Sequence, residues 1–121
     1  MRTLAFLALL SAFLARPAEP QWRLEHKVLA VTAVTTTLLD HFTTVDAIGR
    51  HRYRESNPFL GPHPSLGRLN TFVAAEIVGM LSIGALLPDR ARTIWFAIIT
   101  GMEFGYTYHN FAVGLHVRLR V

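Results

Sequence analysis

Asp40, Glu76 and Glu103 each interrupt a long apolar stretch of this chain. Carboxylates held together in an apolar setting repel one another unless some are protonated or a cation lies between them. Three chemistries follow. Neutral acids hydrogen-bonded to Thr, Tyr or Asn would lock a helix bundle. Asp40, Glu76 and Glu103, with an imidazole of His41 or His109, would make an oxygen-rich site for a divalent metal such as Mg, Mn, Fe or Zn. The same groups would also serve as a path for protons or cations.

Other chemistries are excluded or unsupported. The 121 residues include no cysteine, which removes thiolate metal sites, cysteine nucleophiles and disulfides. No Gly-x-Ser-x-Gly, phosphate-binding loop or His-Glu-x-x-His occurs. The net charge of +4 does not indicate nucleic acid, because the basic residues sit at the ends of apolar segments and in one loop.

The acids must be positioned by helices. Half of the chain is apolar, and charged residues make up 17%, against roughly 25% in soluble domains. Residues 1–18 read as a signal peptide or a short anchor helix: an early Arg2 precedes an apolar run too short to span. Residues 19–121 read as one domain with three long transmembrane helices, at about 28–48, 66–87 and 90–117. The expected fold is therefore an all-α integral membrane bundle. Ser65 and Asp89 are the expected N-caps of the second and third helices.

Helical spacing gathers the polar residues into stripes. Thr36, Thr37, Asp40, Thr43, Thr44 and Ala47 share a face of the first helix, with His41 on its flank. Glu76 lies beside Ala75-x-x-x-Gly79 on the second. Thr100, Glu103, Thr107 and Asn110 line the third, beside Gly101-x-x-x-Gly105, a small-residue pattern that lets helices approach closely. An acid at the centre of a span costs about 2.5–3.5 kcal/mol on insertion scales, so the three should converge on the bundle interior. Asp46, nearer the helix end, is expected to reach water. Trp22 is expected at the membrane interface, and His51, His63 and His116 at the surface.

The stretch LDHFTTVDAIGRHRYRESNPFLG, residues 39–61, carries a further pattern. Asp40, Thr43, Thr44, Gly49, Glu55, Asn57 and Pro58 follow the order Asp-x-x-Thr-Thr, Gly, Glu-x-Asn-Pro. This resembles a group of small bacterial and archaeal membrane domains of unknown function. The resemblance implies a compact multi-helix membrane domain and no particular activity. It also makes Glu55 and Asn57 candidate members of the site, if the Asn-Pro turn directs them back toward Asp40.

The candidate polar core is thus Asp40, Thr44, Glu76 and Glu103, joined by Glu55 and Asn57, with His41 and His109 as candidate metal ligands. The leading functional expectation is a membrane scaffold or partner protein whose polar core specifies helix packing. The alternatives are an intramembrane metal-dependent hydrolase or lipid-modifying enzyme, and a proton- or cation-conducting subunit. The expected partners are the lipid bilayer and either another membrane protein or a second copy of the chain. Lys and Arg counting favours a bacterial inner-membrane location with the first loop and the C-terminus cytoplasmic.

Overall fold

The computed structural model describes residues 21–50 and 53–120. The expected signal or anchor at 1–18 lies outside them. The described chain is all-helical: α1 spans Leu24–Ile48, α2 Leu66–Leu86 and α3 Asp89–Ala112. α1 and α2 are long and apolar enough, by length and composition, to cross a membrane. Their 25 and 21 residues rise about 37 and 31 Å at 1.5 Å per residue, against a hydrocarbon core of about 30 Å. α3 has 24 residues, but Asp89, Arg90 and Arg92 in its first turn and its Thr, Tyr, His and Asn residues make it more polar.

The helix ends show where local chemistry overrides apolar patterning. Ser65 caps α2 as expected, its Oγ accepting from the Arg68 amide at 3.1 Å. Asp89 does not cap α3. Pro88 holds that position with φ −65° and ψ 159°, leaving Asp89 in the first turn, where its carboxylate meets Arg23 at 3.1 Å and Arg92 at 3.4 Å. α3 also stops five residues short of the expected 117. Gly114 adopts φ +87°, the Gly114 amide donates to Phe111 O, and the Leu115 amide donates to Asn110 O at 2.9 Å. Together they form a glycine-terminated C-cap in which the left-handed residue returns the chain to satisfy the last carbonyls.

α1 is the organising helix. It packs most extensively against α3, less against α2, while α2 and α3 touch little despite the short turn joining them. Two apolar clusters close the bundle at its ends. Ala30, Ala33, Met80 and Phe96 form one; Val45, Leu60 and Leu69 form the other. Between them α2 and α3 stand apart, and the polar residues face that gap.

At the first end, Arg92 is fully buried. Its Nε donates to Gly84 O at 2.7 Å and its Nη2 to Leu87 O at 2.8 Å, so one guanidinium satisfies two carbonyls at the C-terminus of α2. Its Nη1 lies 3.3 Å from His26 Nδ1, which also accepts from the Arg23 amide at 3.2 Å. Both partners are donors, so His26 carries its proton on Nε2. Trp22 packs onto this end of the bundle: Arg92 lies 5.1 Å above its ring, and Phe96 packs against it with centroids 5.7 Å apart. Sequence counting treats Arg92 as a topological charge; the structure uses it as a helix cap.

Asp46 also departs from expectation. It is 2% exposed, held by Arg50 at 2.9 Å, by Arg118 at 3.0 Å, and by the His116 amide at 2.9 Å. The turn at Gly114 brings the C-terminal segment back along α1, where the Arg118 amide donates to Phe42 O at 3.1 Å. That return supplies two of the three partners and explains why a residue near a helix end is sealed from water.

Candidate functional site

The residues expected to meet are positioned from three helices and a loop. α1 contributes Asp40, His41 and Thr44, α2 contributes Glu76, and α3 contributes Glu103 and His109. The loop contributes Glu55 and Asn57. All eight line one cavity of about 470 Å³ between the apolar clusters.

The loop geometry shows what Glu-x-Asn-Pro accomplishes. Asn57 Oδ1 accepts from the Phe59 amide at 3.0 Å, and Asn57 O accepts from the amides of Leu60 and Gly61 at 3.1 and 3.2 Å. The turn over Pro58 is thus tied at both ends to one residue, and Gly61 closes it with φ +79°, a conformation that L side chains resist. The Glu55 amide donates to Pro62 O at 3.0 Å, and Glu55 Oε1 accepts from the Asn57 amide at 2.8 Å. The turn holds Glu55 at the cavity wall, and Leu60 is buried against Val45 and Leu69 below it. Arg68 fastens the turn from α2, donating to Phe59 O at 2.8 Å.

The acids fall into two kinds. Asp40 is engaged structurally. Asn110 Nδ2 donates to Asp40 Oδ1 at 2.9 Å and to Thr43 Oγ1 at 2.8 Å, and Thr43 Oγ1 donates to Asp40 O at 2.9 Å. This network joins α1 to α3. Glu76 and Glu103 are electrostatic neighbours across the gap between α2 and α3. Neighbouring carboxylates repel unless one is protonated or a cation lies between them. Glu103 is 7% exposed; Asp40 is an electrostatic neighbour of Glu76 and Glu103, and Glu55 is one of Asp40.

No protein-family model, curated protein or solved structure matches this chain. The site therefore stands on its own geometry.

Among the described residues no three His, Asp or Glu side chains group as they would around a metal ion. The expected set of Asp40, Glu76, Glu103, His41 and His109 shares a cavity, but its members are spread around the wall. His41 is 5% exposed and edge-on to Phe42, with ring centroids 5.1 Å apart. Asn70 lies beside its ring, yet neither His41 Nδ1 nor Asn70 Oδ1 makes a hydrogen bond of acceptable geometry. His109 is exposed at the cavity mouth.

The small-residue patterns do not tighten the bundle. A side chain added at Gly79, Gly101 or Gly105 would meet nothing within 4 Å, so these glycines face away from the other described helices. The close approach occurs at Gly84, where a Cβ would collide with the Phe96 ring. Thr37 lies where the sequence places it, on the Asp40 face of α1. It is 2% exposed, lines the cavity, and its hydroxyl has no hydrogen-bond partner.

Proposed function

We propose that this chain is a small multi-pass membrane protein that binds cations in exchange for a proton held between Glu76 and Glu103. The observation carrying this reading is that two acids from different helices stand as electrostatic neighbours on the wall of one cavity. A pair of acids sharing one proton can release it when a positive charge arrives, so that the pair trades one cation for another.

The scaffold reading draws its support from the Asp40–Asn110–Thr43 network, which fastens α1 to α3. That network accounts for one acid. It leaves Glu76 and Glu103 fronting a cavity, where a purely structural pair would be closed over by packing. The metal-enzyme reading needs ligands converging on a point, and is the less favoured for that reason. In the proposed reading α3 is a third span. Its outward face supports this, with Ile94, Ile98, Phe104 and Phe111 exposed as lipid-facing residues would be. The site then lies inside the bilayer of a bacterial inner membrane, with the loop and C-terminus cytoplasmic. The resemblance of the Asp40-to-Pro58 pattern to small prokaryotic membrane domains fits the same assignment.

Reconstitution into proteoliposomes with an internal pH dye tests the reading. An imposed cation gradient should drive proton movement that falls about tenfold or more in Glu103→Gln, since a charged hydrogen-bonding group is lost. Equal movement in the wild type, in Glu103→Gln and in empty liposomes would end it.

A further inference from the structure

A second cavity, of about 400 Å³, lies on the other side of Glu55, where α1 and α3 end. Ile48, Val113 and Leu115 give it an apolar wall, and Arg54 and His63 of the loop border it. Two bonds tie the loop to the chain just past α3. Tyr53 Oη donates to Val113 O at 2.6 Å, and Arg50 Nη1 donates to Gly114 O at 3.1 Å. The cavity is therefore framed by fixed backbone on both sides.

Charge at this end of the bundle is one-sided. Arg50, Arg54, Arg68 and Arg118 all stand here, and the two acids among the described residues nearby are already engaged. Asp46 is sealed between Arg50 and Arg118. Glu55 lines both cavities, but its Oε1 accepts from the Asn57 amide at 2.8 Å and its electrostatic neighbour is Asp40, on the wall of the first cavity. Arg54 is exposed and makes no hydrogen bond or ion pair among the described residues. A guanidinium beside an apolar wall suits an anion that carries hydrocarbon, and guanidinium pairs with phosphate through two parallel hydrogen bonds. Val113 both lines the cavity and is 40% exposed, so the apolar wall continues to the outside. The depth also fits. The 25 residues of α1 outlast the hydrocarbon core of a bilayer, which brings its last turn to headgroup level. Basic pockets between membrane helices at the cytoplasmic side hold anionic lipid headgroups.

We propose that the cavity between the loop and the ends of α1 and α3 binds the phosphodiester headgroup of an anionic phospholipid, with Arg54 on the phosphate and the acyl chains leaving over Val113. The proposal rests on the reading that the helices span a bilayer, and is independent of the proton between Glu76 and Glu103.

The test uses the full chain in detergent, native mass spectrometry, and three probes: phosphatidylglycerol, phosphatidylcholine and glycerophosphoglycerol. Phosphatidylglycerol should bind about tenfold more tightly than phosphatidylcholine, whose quaternary ammonium offsets its phosphate. Arg54→Gln should abolish that preference, as expected when a hydrogen bond to a charged group is lost. Arg90→Gln removes the same charge from an exposed position at the opposite end of α3 and should leave the preference unchanged. Glycerophosphoglycerol, the same headgroup without chains, should bind at least about tenfold more weakly than the lipid, because the apolar contacts are lost. No preference for phosphatidylglycerol, equal losses in Arg54→Gln and Arg90→Gln, or equal binding of the chainless headgroup would each overturn the proposal. An alkaline wash of phosphatidylcholine vesicles carrying the chain separates the two levels. A chain that stays with the vesicles yet shows no lipid preference rejects the site alone. A chain that washes off rejects the membrane reading as well.

Discussion

Asn110 Nδ2 lies 2.9 Å from Asp40 Oδ1, joining α3 to α1 across 70 positions of sequence. The same amide reaches Thr43 Oγ1 at 2.8 Å. One side chain thereby satisfies a carboxylate and a hydroxyl between the two helices that pack most extensively. Asn110→Ala should lower stability by about 1–3 kcal/mol, because Asp40 is left half-buried without its donor. Thermal unfolding in detergent checks this. A double mutant with Asp40→Ala should lose less than the sum of the two single changes, as expected for residues in direct contact.

Asp46 offers a second, separable prediction. It gathers Arg50, Arg118 and the His116 amide at one sealed point. Removing one partner of a buried ion pair strands the others. Both arginines keep some access to water, so the loss for Asp46→Ala should be about 2 kcal/mol, below the 3–5 kcal/mol of fully buried pairs. Limited proteolysis should then cut the 113–120 segment faster than in the wild type. Unchanged protection would show that the segment is held without Asp46.

At the opposite end, Arg92 should resist conservative replacement. Its planar fork reaches both Gly84 O and Leu87 O, and a lysine ammonium cannot reproduce that planar geometry. Arg92→Lys should destabilise the protein by about 1–3 kcal/mol through the carbonyls left unpaired, measured by the same unfolding assay.

Gly84→Ala should also destabilise, by about 1–3 kcal/mol, through overpacking against Phe96. Gly101→Ala meets open space and should leave the stability of the isolated chain nearly unchanged.

These contrasts show what the sequence makes legible. Three apolar runs and Ser65 suffice to locate the helices, because apolar length and hydroxyl capping act locally. The cost of isolated acids in an apolar span was enough to bring Asp40, Glu76 and Glu103 toward one cavity, and the Asn57-Pro58 turn brought Glu55 with them. The division of labour among the acids was not legible. That Asp40 is bonded by Asn110 while Glu76 faces Glu103 depends on how far α2 and α3 stand apart, a tertiary quantity with no local signal. Asp46 misled for a related reason: its partners Arg118 and His116 arrive only because Gly114 turns the chain. Gly101 and Gly105 misled because a small-residue pattern marks a smooth face without saying which way the face points.

The central claim is the proton shared by Glu76 and Glu103, and infrared spectroscopy of the protein in nanodiscs tests it most directly. At neutral pH the wild type should show a protonated-carboxyl C=O band that is lost or shifted in both Glu76→Gln and Glu103→Gln, while Glu25→Gln, at an exposed position of α1, leaves it intact. A spectrum without that band, or a band unaffected by either cavity substitution, would contradict the account.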